Sequence, residues 1–321
     1  MELELSIGST EIVSIEAECE RLLLAFRDVP STYAAMRDFV SFLTELRARS
    51  GADGWRASVE ALRQHELGRL LRNDPMVRRC QWRAAGAEPY DIVEAFVREW
   101  DDAATSLLEA EEAGQSLNAV TLAGPIGSAM RERRDGVRPF LLNAVRRGFR
   151  PDILGLGAGR ASEADIFAAG DHHGIASWTV VDEERGEDAS LRRRGLDFPV
   201  RRIARPRDYL ASAPAAARFD LIYAVHALDT LGDDEAVDFL SGAVAHLKPN
   251  GCVLVSSFAP SLREAVYMDA VLDWRPALRD EWALSRLLAS LKLPPSAICS
   301  VWKGASEGVT FGLIEHKAWA N

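Results

Sequence analysis

Apolar positions in the first third of the chain recur at three- and four-residue steps. From Thr32 to Ala48, Met36, Phe39, Val40, Leu43 and Leu46 form one stripe, which predicts an amphipathic helix. Trp55, Val59, Leu62, Leu67, Leu70 and Leu71 repeat the pattern and predict a second helix over Asp53 to Leu71. Pro89 opens a third, through Ile92, Val93, Phe96, Val97 and Trp100, with proline in its first turn. Residues 1–113 thus read as helices. The following stretch, AGQSLNAVTLAGPIGS, holds four glycines and prolines in 16 residues and reads as a linker. A further helix over about Ala129 to Arg147 leads onward.

From Pro151 the pattern changes. Short β-type runs, DILGL, ASWTVVD, FPVRRI, FDLIYAV and GCVLVSSF, are separated by helix-length segments, which predicts βα units and a parallel sheet. Asn250-Gly251 is the expected turn into the fifth strand. The last two runs, AICSVWK and VTFGLIEHK, are separated only by GASEG, the spacing of a hairpin, so the final strand should run antiparallel. The expectation is an α/β chain in two domains. Residues 1–127 form a helical cap and residues 128–321 a Rossmann-like domain of parallel strands closed by an antiparallel hairpin.

The stretch DILGLGAGR closes the first strand with Gly155, Gly157 and Gly159. A dinucleotide fingerprint, GxGxxG, needs its third glycine where Arg160 stands. GxGxG without it suits S-adenosylmethionine, a ligand with no phosphate, whose approach needs bare backbone. Asp182 follows the second strand, 23 residues after Gly159, where a carboxylate can accept both ribose hydroxyls.

Composition narrows the partners. A net charge of −10 disfavours general nucleic-acid binding. Residues 129–150 oppose that balance, with seven arginines against two acids. Arg134 and Arg138 in this patch are candidates to reach the cofactor's carboxylate. No apolar run approaches a membrane span, and the acidic N-terminus does not look like a signal peptide. Cys19, Cys80, Cys252 and Cys299 are far apart, which argues against a zinc site or disulfide framework and fits a reducing cytoplasm. No metal site is expected, and a homodimer is compatible with the sequence.

The run from ILGLGAGRASE (Ile153–Glu163) through FDLIYAVHALDTLGD (Phe219–Asp233), LKPNGCVLVSSF (Leu247–Phe258) and YMDAVLDWRPALRD (Tyr267–Asp280) resembles the class I S-adenosylmethionine-dependent methyltransferases. More narrowly, it resembles the bacterial family named for biosynthesis of the extracellular factor 3-hydroxypalmitic acid methyl ester. The resemblance spans about residues 128–291. It implies S-adenosylmethionine as cofactor, held by the three glycines, by Asp182 and Glu183, by Ala204 and Arg205, and by Ala224 and Val225. It places Tyr267 and Asp273 with Trp274 and Arg275 in a segment over the cofactor, Tyr267 as a candidate catalytic residue and Trp274 and Arg275 toward substrate. There are departures. Gly155 stands where class I enzymes usually carry an acid, Gly157-Ala158-Gly159-Arg160-Ala161 replaces the relatives' Gly-Cys-Gly-Pro-Ala, and Ser256-Ser257-Phe258 replaces Gly-Asn-Phe.

His226 follows the fourth strand, where an acceptor would meet the sulfonium methyl. It is a candidate general base for a hydroxyl or amine, with a structural role equally open. Asp229 would orient it, bind substrate or cap a helix. The expected activity is methylation of a small molecule, on a carboxylate or hydroxyl oxygen, with the N-terminal helices as a lid. Two other readings stand beside it. One is another use of the cofactor, such as cyclisation of its aminobutyrate chain with release of methylthioadenosine. The other is a non-catalytic partner protein with the same fold.

Overall fold

The computed structural model describes residues 9–84, 87–99, 101–146, 150–158, 163, 174–181, 200–203, 209–211 and 218–316. The chain divides into two compact units. One comprises Met1–Gly127 with Arg263–Arg275, the other Ser128–Leu262 with Pro276–Asn321.

The first unit is helical: α1 (Ser9–Arg27), α2 (Thr32–Arg49), α3 (Ala52–Gln64), α4 (Glu66–Leu71), α5 (Pro75–Gln81), α6 (Pro89–Val97), α7 (Asp101–Leu108) and α8 (Glu112–Ala123). The single helix expected over Asp53–Leu71 is two. The chain turns at His65, whose Nδ1 accepts the Leu67 amide at 3.1 Å and caps α4. The linker expected at 113–128 is instead helix α8, a break at Gly124, and the start of α9 (Pro125–Arg146). Its glycine and proline have packing roles. A Cβ on Gly114 would lie 2.2 Å from the Asn73 carbonyl oxygen, so glycine there lets two segments touch. Pro125 occupies the first turn of α9, where a missing amide hydrogen costs nothing.

Arg263–Arg275, with α11 (Ala265–Ala270), belongs to the helical unit through a set of ionic latches. Asp269 is buried and accepts from Arg47 Nη1 at 2.7 Å, from Trp55 Nε1 at 2.8 Å, and from Arg275. Asp273, at φ 52°, takes Arg63 at 3.1 Å and Arg83 at 2.9 Å. Burial pushes its carboxyl up, but the hydrogen bonds from Arg83 and Arg63 outweigh this and hold it below the usual range.

The second unit carries one seven-stranded sheet of order β3-β2-β1-β4-β5-β7-β6. The strands are β1 (Asp152–Leu156), β2 (Ser177–Val181), β3 (Val200–Ile203), β4 (Phe219–Ala224), β5 (Leu247–Phe258), β6 (Ala297–Lys303) and β7 (Val309–His316). The first five pair in parallel, and β7 lies antiparallel between β5 and β6. This is the Rossmann-like sheet expected, including the antiparallel hairpin. The Asn250-Gly251 turn is replaced by an irregularity within β5. Phe219 pairs with Leu247, whereas Leu221 pairs with Cys252, and Asn250 takes the left-handed φ of 69° that the extra residues require.

Alternation along the strands divides the core. Leu154, Leu156, Ile222, Ala224, Val253 and Val255 face α10 (Asp233–Ala245) and α12 (Glu281–Ala289). On the opposite face, Tyr223 pairs in register with Gly155. A Cβ at Gly155 would lie 2.5 Å from the Tyr223 hydroxyl and 2.6 Å from its ring.

Two outcomes follow for stability. Asp74 caps α5 through the Met76 amide and accepts from Asn118, yet burial pushes its carboxyl up to about 7 despite those bonds. The folded chain therefore holds a proton that the unfolded chain releases near its ordinary value. That stabilisation is complete below the unfolded value and is lost as pH rises toward and through 7. Asp74→Asn keeps the cap and removes the titration. From pH 5 to 8 the wild-type melting temperature should fall relative to this variant, by the equivalent of up to roughly 2.5 kcal/mol; parallel profiles would contradict the assignment. Separately, Gly155→Ala should cost about 1–3 kcal/mol through overlap with Tyr223. A double-mutant cycle with Tyr223→Leu should recover part of that loss, and strict additivity would mean the two side chains do not compete.

Candidate functional site

In an open parallel sheet, ligands sit beyond the carboxyl ends of the strands at the point where strand order reverses, here between β1 and β4. Gly157 lies just past β1 with φ 63°, in the left-handed region that favours glycine, and its amide donates to the Val181 carbonyl at 2.8 Å. Among the described residues, a Cβ there would be in ordinary contact with Ala227 at 3.8 Å, without overlap. Gly155 is different: its missing side chain is the space that Tyr223 fills. The Tyr223 hydroxyl in turn lies 3.4 Å from a carboxylate oxygen of Glu163, itself buried. Gly159, Asp182, Glu183, Ala204 and Arg205 lie outside the described residues, as does His172-His173.

Ala224 and Val225 end β4 and are buried. His226 follows, then a 3-10 helix over Ala227–Thr230 that carries Asp229. The structure brings His226 and Asp229 together around a residue the sequence reading does not single out, Arg133 of α9. Arg133 has no exposed side-chain surface. Its Nη1 and Nη2 donate to the two Asp229 carboxylate oxygens at 2.5 and 2.9 Å, a bidentate fork. Nη1 also lies 3.4 Å from His226 Nδ1, and the guanidinium carbon sits 3.5 Å from the centre of the Phe258 ring.

The position of Arg133 follows from helix periodicity. Ala129, Met130, Arg133, Val137, Leu141 and Ala144 are all buried and recur at steps of one, three and four. A cation standing on an apolar stripe is the signal that would have marked it. Arg134 and Arg138 stand off that stripe. Arg134 is half-buried and pairs with its neighbour Asp135, and Arg138 is exposed. Glu132 fixes the helix further. Its carboxylate accepts the Ser306 amide at 3.1 Å, and also the Ala305 amide and the Ser306 hydroxyl, in the β6–β7 turn.

The loop after β4 has a second buried cation. Arg279 donates to the carbonyls of Leu228 at 2.8 Å and Leu231 at 2.6 Å and to Asp233 at 3.0 Å, the last at the start of α10. The Ala277 amide donates to the Asp229 carbonyl at 2.7 Å, while the Ser257 hydroxyl donates to the Ala277 carbonyl. Burial pushes the Asp229 carboxyl up and the two arginines oppose it. Burial, and then Arg133, hold His226 well below the ordinary imidazole value, so its ring is neutral at neutral pH.

The other candidates lie in the helical unit. Tyr267 is buried edge-on to Phe39, ring centres 6.2 Å apart, and burial and then Asp74 raise its hydroxyl so that it stays protonated. Trp274 is buried against Tyr90, and Arg275 is bound to Asp269. Among the described residues no cluster of His, Cys, Asp or Glu could hold a metal ion, and no helix is long and apolar enough to cross a membrane.

No family model and no curated protein matches the chain. Solved structures do. A Bordetella parapertussis protein described as a possible exported protein is 13% identical, covers 97% of this chain and 99% of its own, and has a TM-score of 0.49. The 1,6-didemethyltoxoflavin-N1-methyltransferase of Burkholderia thailandensis, solved with 1,6-didemethyltoxoflavin and S-adenosylhomocysteine, is 17% identical over 70% of this chain and 87% of its own, with a TM-score of 0.42. The N-methyltransferase NodS of Bradyrhizobium japonicum, solved with S-adenosyl-L-homocysteine, is 17% identical over 59% and 88%, with a TM-score of 0.41. At such identities and scores these likenesses assign neither activity nor ligand to this chain.

Proposed function

We propose that the protein is an S-adenosylmethionine-dependent methyltransferase that methylates an oxygen, of a carboxylate or hydroxyl, on a small molecule. The observation that carries this reading is Gly157. It is a left-handed glycine at the carboxyl end of the central strand, at the switch point of a parallel sheet, in the sequence GLGAG. Asp182, directly after β2, suits the ribose hydroxyls.

When bound, S-adenosylmethionine supplies an electrophilic methyl on a sulfonium and leaves as the neutral thioether S-adenosylhomocysteine. The chain's own part is orientation and exclusion of water. Gly157 lets the ligand reach the backbone. Asp229 has both oxygens committed to Arg133, and buried Tyr267 stays protonated, so neither is free to take a proton.

S-adenosylmethionine or S-adenosylhomocysteine should raise the melting temperature, adding roughly 2.7 kcal/mol at about 100 times the dissociation constant. Gly157→Val should abolish the shift, because a β-branched residue resists a φ of 63° and its side chain would enter the ligand's path. Undiminished affinity in that variant would remove the loop from the site. Asp182→Ala should weaken calorimetric binding by about 1.5–3 kcal/mol, the range for hydrogen bonds to a charged group. Tight NAD binding lost in the same variant would show that the ligand is a dinucleotide.

A further inference from the structure

A guanidinium has donors and no acceptor, and it does not lose its proton in proteins. At 3.4 Å from Arg133 Nη1, His226 Nδ1 can join a hydrogen bond with the guanidinium only as the acceptor, without a hydrogen of its own. A neutral ring then bears its proton on Nε2. Arg133 cannot turn away from this arrangement. Its fork is closed on Asp229, its face lies on Phe258, its side chain is fully buried, and its helix is fastened through Glu132 to the β6–β7 turn.

We propose that Arg133 is a positioning residue that holds His226 as the Nε2–H tautomer, so that His226 meets the methyl acceptor as a hydrogen-bond donor and not as a general base. The charged groups around the ring agree with this. Arg133 faces it from α9 and opposes a second positive charge. Asp229, which could otherwise favour an imidazolium, is neutralised by Arg133 and lies near Arg279, whose own partner is Asp233. The donor role rests on the methyl-transfer reading; the tautomer does not.

The tautomer is read without turnover. In the full chain with 15N-labelled histidine, long-range 1H–15N spectra, assigned with His226→Asn, should show His226 Nδ1 bare and Nε2 protonated, unchanged from pH 5.5 to 8. In Arg133→Met, or in Arg133→Lys should the methionine variant not fold, the resonances should become pH-dependent or mixed. A wild-type His226 protonated on Nδ1, or titrating near its ordinary value, would overturn the proposal. The donor role is tested with S-adenosylmethionine and a metabolite extract as the source of acceptor. Glutamine offers an N–H near the place of Nε2 and cannot act as a base. His226→Gln should therefore keep S-adenosylhomocysteine formation within about tenfold of wild type, while His226→Ala loses more. A loss of 10²–10⁴-fold in His226→Gln, the contribution of a general base, would overturn the donor role. No S-adenosylhomocysteine from the wild type would overturn the methyl-transfer reading and the donor role with it, leaving the tautomer to the spectra.

Discussion

The pair of Arg133 and Asp229 is the constraint on which the carboxyl ends of β4 and β5 depend. A fully buried guanidinium must be matched by a carboxylate in good geometry, since removing one member of such a pair costs roughly 3–5 kcal/mol. Meeting that requirement ties α9 to the turn after β4. It also fixes the 3-10 turn after β4 and brings His226 against the same cation. Phe258, the last residue of β5, supplies the apolar face on which the guanidinium rests. Arg279 then secures the rest of the loop by filling the open carbonyls of Leu228 and Leu231. The loop after β4 is thus held from two sides by buried cations, and on the proposed function such fixing suits a displacement in which alignment provides most of the effect.

The excursion Arg263–Arg275 adds a covalent constraint. The chain leaves the sheet unit after Leu262, joins the helical unit through Asp269 and Asp273, and returns at Pro276. One residue later Ala277 donates to the Asp229 carbonyl. The helical unit is therefore wired in sequence to the loop after β4 as well as to α9. Deleting residues 1–127 would strip the arginines and Trp55 from Asp269 and Asp273, so such a truncation cannot report on the sheet unit alone.

Much of the fold is legible in the sequence, because strand alternation and βα spacing act locally. β1 and β6 begin and end where their apolar runs do, and the GASEG hairpin forms. Glycine and proline mislead where they serve packing. Gly114 and Pro125 have the look of a linker but belong to two helices. Gly155 sits in a nucleotide-loop pattern, yet its bare Cα makes room for Tyr223. The site is legible only in part. Gly157, His226 and Asp229 lie in motifs that a strand end exposes. Arg133 and Arg279 are set by long-range pairing with no local motif, although Arg133 betrays itself by interrupting an apolar stripe. Tyr267, Trp274 and Arg275 are placed by resemblance, and their partners lie among helices that the resemblance does not cover.

The most direct measurement is product analysis by mass spectrometry after incubation with methyl-deuterated S-adenosylmethionine and a metabolite extract. The account predicts S-adenosylhomocysteine in equal amount to a small molecule carrying the deuterated methyl on oxygen. Methylthioadenosine with no labelled metabolite, or intact cofactor alone, would contradict it.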